Sequence, residues 1–226
     1  MTARLLRQVL ILAFVLLGCA TSTDSPDRAN RDLHGPPDVD RYIQALQREE
    51  RVRELDPEAV IRALGIAPTA VVADLGVGPG VLALPLARHL SDGIVYAVDV
   101  EPRQLDALRE RLRSEGIHNV VPVLASYSDP HLPPHGVDWI FVVDTYHHLE
   151  DRVVYLRGLR QDLAAGGRLV ILEYKPGDLP VGPPADHKVS HEQRFGELDA
   201  AGFERVERFD SHRYHDFEVW RPIPLP

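Results

Sequence analysis

From residue 70 onward, short β-branched runs alternate with amphipathic stretches of helical length. The runs at residues 70–75, 94–98, Val120–Leu124, Val137–Val143 and 168–173 read as strands, and most of the segments between them carry apolar positions at helical spacing. Strands alternating with helices predict an α/β fold, a doubly wound, mostly parallel sheet covered on both faces. Upstream, residues 40–64 place Tyr42, Ile43 and Leu46, then Val60, Ile61 and Leu64, at helical intervals, broken at Asp56-Pro57, which suits a helix start. Two short helices are expected there. The last third begins with a proline-rich loop at 176–184 and continues with a helix over 190–201 stopped by Gly202. Two final runs, 204–209 and 215–220, lie close enough to pair as an antiparallel hairpin.

The first 37 residues follow a different pattern. Arg4 and Arg7 precede an apolar run over 9–17 that ends Leu16-Leu17-Gly18-Cys19, the layout of a secretory signal peptide. The run falls far short of the roughly 20 residues that span a bilayer as a helix. Leu-Leu-Gly-Cys resembles the lipobox of bacterial lipoproteins, which implies cleavage before Cys19 and a lipid on Cys19 that anchors the chain to a membrane of the cell envelope. The alternative is an uncleaved hydrophobic tail on a cytoplasmic protein. Residues 21–37 are rich in Ser, Thr, Asp, Asn and Pro, the composition of a flexible tether. The expected organisation is a signal peptide over 1–18, a tether over 19–37 and one folded domain over 38–226.

Composition narrows the chemistry. The 226 residues are 44% hydrophobic and 26% charged, enough to bury one sizeable core. A formal net charge of -9 repels phosphate backbones, so nucleic acid is not expected as a partner. With Cys19 the one cysteine, no internal disulfide or cysteine-built metal site can form.

The most specific segment is Asp74-Leu75-Gly76-Val77-Gly78-Pro79-Gly80, at the end of the first strand and before a helical stretch at 81–90. Glycines at 76, 78 and 80 permit backbone angles closed to other residues and let a ligand approach the main chain. The helix that follows offers unpaired N–H groups and a partial positive charge to an anionic group. Pro79 suits the opening of that helix, whereas Pro85 is expected to kink it. About twenty residues beyond the loop, Asp99 ends the second strand, where a carboxylate can accept hydrogen bonds from a ribose diol. Its other possible role is to cap the helix that begins near Pro102.

Asp74 to Gly80 resembles the Asp-x-Gly-x-Gly-x-Gly motif of class I S-adenosylmethionine-dependent methyltransferases. The resemblance continues through Tyr96-Ala97-Val98-Asp99, Asp138-Trp139-Ile140-Phe141-Val142-Val143-Asp144 and Leu163-Ala164-Ala165-Gly166-Gly167-Arg168-Leu169-Val170. Family members often carry a smaller residue where Val77 stands and a hydroxyl residue where Pro79 stands. The resemblance implies a Rossmann-like methyltransferase fold and S-adenosyl-L-methionine as cofactor. By the same resemblance, Gly76 and Gly78 face the methionine portion, with Gly80 in the same loop. Asp74 meets the ammonium, Asp99 the ribose hydroxyls and Ser126 the adenine, while Asp144 lies near the methionine end and the substrate.

Transfer from a sulfonium needs alignment and exclusion of water more than a catalytic apparatus. Asp144-Thr145-Tyr146-His147-His148 follows the fourth strand, so His147 or His148 is a candidate to take a proton from a small-molecule methyl acceptor. The alternative is that one histidine caps the next helix and the other packs beneath it. Glu173-Tyr174-Lys175 and His187 are expected on the substrate side. His131, His135, His147, His148, His187 and His191 fit no closed ligand spacing, so no metal is expected. Two competing functions remain at this point. One is a nicotinamide-dependent dehydrogenase, which wants Gly-x-Gly-x-x-Gly where this loop has Gly80 one residue early. The other is a ligand-binding lipoprotein that keeps the methyltransferase fold without turnover, a reading that follows from export of a domain whose cofactor is made in the cytoplasm.

Overall fold

The computed structural model describes residues 38–224. The expected signal peptide, the tether and Cys19 lie outside the described residues. Three helices open the described residues: α1 (Val39–Leu46), α2 (Glu49–Leu55) and α3 (Pro57–Leu64). The break at Asp56 falls as expected. Asp56 adopts a left-handed conformation and its side chain accepts the Ala59 N–H at 3.2 Å, while Pro57 fills the first helical position. A further break at Gln47–Arg48 makes three helices where two are expected. Five helical residues rotate a side chain by roughly 140°, so an unbroken helix would point Leu46 and Arg51 in different directions, and the break lets both turn inward.

The sheet follows as β1 (Val71–Leu75), α4 (Ala83–His89), β2 (Ile94–Asp99), α5 (Pro102–Glu115), β3 (Val120–Leu124), β4 (Val137–Val143), α6 (Arg152–Asp162), β5 (Leu163–Tyr174), α7 (His191–Ala200), β6 (Phe203–Phe209) and β7 (His215–Pro222). The strand order is β3-β2-β1-β4-β5-β7-β6. The first five strands run parallel, and β7 enters antiparallel between β5 and β6. The last two runs do form the expected antiparallel pair. β5 starts earlier than expected because Leu163 already pairs with Val137, ahead of a register shift between Val137 and Trp139.

Side-chain alternation divides the core into two layers. Phe141 and Val143 join Val72 and Val95 against Leu84, Leu86, Leu105 and Leu108 of α4 and α5 on one face. Ile140 and Val142 join Ala73 and Leu75 against Leu156, Leu159 and Leu198 of α6 and α7 on the other. The sheet is doubly wound, as its pattern predicts. α4 is shorter than the 81–90 stretch and begins at Ala83. Pro79 therefore lies in the turn before the helix, and Pro85 falls in the first turn, where an N–H has no intrahelical partner to lose, so the expected kink is absent.

The chain leaves β1 toward β2 on one side and returns to β4 on the other. That reversal opens a crevice at the carboxyl ends of β1, β2 and β4, the usual ligand position in such sheets.

Candidate cofactor and substrate crevice

The glycine turn and the acidic residue after it face each other. Asp99 Oδ2 accepts the Gly78 N–H at 2.9 Å, and Asp99 Oδ1 accepts the Glu101 N–H at 2.9 Å. The Val77 N–H donates to the Val98 carbonyl at 3.0 Å, tying the turn to the end of β2. Asp99 is not the cap of α5: that place belongs to Glu101, whose carboxylate accepts the Arg103 N–H at 3.0 Å. Burial pushes the Asp99 carboxyl up, against the N–H groups of Glu101, Gly78 and Val100 that favour its ionised form.

The turn depends on its glycines. Gly76 and Gly78 have φ of +68° and +54°, and a Cβ on Gly76 would collide with the Thr145 side chain. Beneath the turn, Asp74 is 2% exposed and its carboxylate accepts the Ala83 N–H at the start of α4. Burial, aided by the nearby charge of Asp99, pushes it up to about 8.

α1 lies over the turn. Leu46 Cδ1 stands 3.2 Å from where a Gly78 Cβ would be, and Gln104 Oε1 stands 3.7 Å from the same point. Gln104 is buried and its Oε1 has no hydrogen-bond donor. Tyr42 turns its phenol toward a charged group. Burial raises its pKa, and of the charges around it Arg51 opposes the rise while Asp144, Asp99 and Glu173 add to it.

At the end of β4, Asp144 takes a φ of +48°, an uncommon conformation for a residue with a side chain. Arg51 Nη2 donates to Asp144 Oδ2 at 2.6 Å, and His215 Nε2 lies 2.9 Å from Asp144 Oδ1. Burial alone would raise the Asp144 carboxyl, but His215, Arg51 and His147 outweigh it and hold it below the usual range. Tyr174 hydrogen-bonds Arg51 and stacks on His215 with ring centroids 4.3 Å apart. The proline-rich loop rests on the same ring, because a Cβ on Gly182 would run into Tyr174.

Residues 72–167 match the family model described as a methyltransferase domain. Over those residues the chain is similar to a methyltransferase domain. The ubiquinone/menaquinone biosynthesis C-methyltransferase UbiE of Proteus mirabilis is 31% identical over 156 residues, which are 68% of this chain and 61% of that relative, so the chain spans less than two thirds of its length. The crystal structure of a SAM-dependent methyltransferase from Aquifex aeolicus superposes with a TM-score of 0.76 at 26% identity, covering 81% of this chain and 97% of that one. The CcbJ methyltransferase of Streptomyces caelestis shares the fold with a TM-score of 0.63 at 22% identity, over 74% of this chain and 89% of that one.

His147, inside the matched residues, forms a pair with Glu173 beyond them. His147 Nδ1 lies 3.0 Å from both Glu173 oxygens, and the carboxylate also accepts the Tyr174 N–H at 2.9 Å and the His147 N–H at 3.3 Å. Glu173 is 1% exposed. A carboxylate oxygen accepts, so Nδ1 is the ring nitrogen that donates to Glu173. His148 is exposed and stacks on His147 with centroids 4.1 Å apart.

Ser126 stands just beyond β3, where it is expected. Its hydroxyl accepts the Asp129 N–H at 3.0 Å within a local turn. Lys175 donates to the carbonyls of His212 and Arg213, and His187 is exposed. His191 pairs with Asp216 at 2.6 Å, on α7. Among the described residues, no group of three or more His, Cys, Asp or Glu is placed to hold a metal ion.

The crevice also contains residues to which sequence reasoning gave no role there: Tyr42, Leu46, Arg51, Gln104, Thr145 and His215. Arg51 reaches a partner 93 residues away and His215 comes from the strand that inserts last, so no local spacing marks either.

Proposed function

We propose that the protein transfers a methyl group from S-adenosylmethionine to a small-molecule acceptor that gives up a proton in the reaction. The observation that carries this reading is the bond from the Gly78 N–H to Asp99, with Gly76 and Asp144 beside it, which sets the motif residues around one crevice. The residues present fit the cofactor. Positive-φ glycines leave room for close approach, and the buried Gln104 Oε1 beside Gly78 is an acceptor awaiting a donor. Asp99 would take the ribose hydroxyls, Asp74, Gly76, Gly78 and Gly80 would bound the methionine side, Ser126 would lie by the adenine, and Asp144 would stand between cofactor and acceptor.

When bound, S-adenosylmethionine supplies a methyl carbon already activated by a sulfonium leaving group. The protein's part is to align the acceptor, exclude water and remove a proton. His147 is the base: Glu173 fixes its tautomer, so Nε2 receives the proton that the acceptor loses as its new bond to carbon forms. His148, on the same turn, would support it. An oxygen or ring-carbon acceptor suits such a base, and the Proteus relative is a C-methyltransferase.

The test is label transfer. With S-adenosylmethionine tritiated at the methyl group and an organic extract of bacterial cells, label should move into a small-molecule fraction and stop moving in His147→Ala. Cofactor binding with no transfer to any fraction would favour a ligand-binding protein instead.

We further propose that the chain is exported and anchored to a bacterial envelope membrane through lipid on Cys19. Arg4, Arg7, the apolar run and the Leu16-Leu17-Gly18-Cys19 ending support this. Radioactive fatty acid should label the protein and not Cys19→Ser; label that persists in the variant rules this anchor out.

A further inference from the structure

We infer that Arg51, on α2, is the receptor for the carboxylate at the aminoacyl end of the cofactor, and that its pair with Asp144 holds that place until the ligand arrives. The inference rests on the cofactor reading of the crevice. Gly76 packs against Thr145, the neighbour of Asp144, so a ligand end lying on Gly76 comes to rest beside the Arg51–Asp144 pair.

Charge makes the exchange favourable. The Asp144 side chain is 9% exposed and that of Arg51 22%, so separating them without replacement would leave two charges with little water to solvate them. A zwitterionic aminoacyl group brings one charge of each sign. Its carboxylate takes over the Arg51 guanidinium, and its positive end takes over Asp144, so no charge is left alone. His215, already 2.9 Å from Asp144 Oδ1, steadies that carboxylate during the exchange.

Arg51 belongs to the fixed part of the site and not to its cover. α2 is held by Leu55, which is 2% exposed, and by His212 Nε2, which lies 2.9 Å from the Leu55 carbonyl. Tyr174 and the Leu46 carbonyl hold the guanidinium itself. α1, by contrast, has no fully buried residue, and an exposed pair between Asp40 and Arg103 ties it to α5. Lifting α1 would remove Leu46 from Gly78 and its carbonyl from Arg51, leaving the guanidinium to Tyr174 and Asp144.

Binding by calorimetry tests this without any acceptor. The probes are S-adenosylhomocysteine, S-adenosyl-3-thiopropylamine, which keeps the ammonium but lacks the carboxylate, and 5′-methylthioadenosine, which lacks both. The wild type should bind the first roughly tenfold to a hundredfold more tightly than the second, the effect of one charge-assisted contact. Arg51→Ala and Arg51→Gln should erase that preference and leave 5′-methylthioadenosine within about threefold of its wild-type affinity. Arg51→Lys should retain part of it. A preference that survives in Arg51→Gln, or an equal loss for all three probes, overturns the role of Arg51 alone. Failure of the wild type to bind any of the three overturns the cofactor reading with it.

Discussion

The Gly78 N–H and the Asp99 carboxylate meet at 2.9 Å, joining the turn after β1 to the end of β2. A buried carboxylate with two backbone donors is poised to exchange one of them for a hydroxyl, because a hydrogen bond traded for another costs little. The pair makes the crevice one site rather than two neighbouring loops.

Gly76 sits against Thr145 so closely that the turn tolerates no side chain there. Gly76→Ala should lower stability by about 1–3 kcal/mol, combining left-handed strain with the collision. Adding Thr145→Ala should recover the collision part and leave the strain. Urea denaturation of the single and double variants measures both.

Asp74 gives stability a pH dependence of calculable sign. Its folded pKa is about 8 against an ordinary 3.8, so between those values the folded state holds a proton that the unfolded chain has released. Unfolding free energy contributed by this group therefore falls as pH rises from about 4 to about 8. Asp74→Asn should flatten that slope in denaturation curves taken across the window, and an unchanged slope would show that Asp74 is ionised in the folded protein.

Arg194 lies 1% exposed between Asp216 at 2.7 Å and Glu218 at 3.2 Å, on the inner side of α7. Arg194→Met takes the one fully buried cation from two buried carboxylates, which keep His191 and Arg205 as partners, and should cost about 1–3 kcal/mol. The loss should shrink when Asp216→Asn and Glu218→Gln are added, by the same denaturation assay.

His147 should appear by nitrogen NMR as the tautomer protonated at Nδ1, and Glu173→Ala should convert it to a mixture of tautomers. His147→Ala should lower kcat by about 10²–10⁴ once an acceptor is in hand. Loss of the same size in the exposed His148→Ala would move the base to the neighbouring histidine.

The strands, the glycine turn and Asp99 were legible because each depends on local pattern: period-two burial, a run of glycines, an acid at a fixed distance. The helix over the turn was less so. Pro85 reads as a kink only if the helix starts at residue 81, and the backbone delays that start to Ala83 by keeping residues 78–82 as turns. Arg51, Tyr42 and His215 were not legible as site residues, since their meeting with Asp144 depends on where α1, α2 and β7 settle on the finished sheet. Glu173 was expected on the substrate side, but its contact with the His147 ring follows only from the geometry.

The most direct test of the account is calorimetric titration of the wild type and Asp99→Ala with S-adenosylmethionine and S-adenosylhomocysteine. Micromolar binding of both by the wild type, lost or weakened at least tenfold in Asp99→Ala, is the predicted result. Absence of heat with either ligand, or full affinity in the variant, would contradict it.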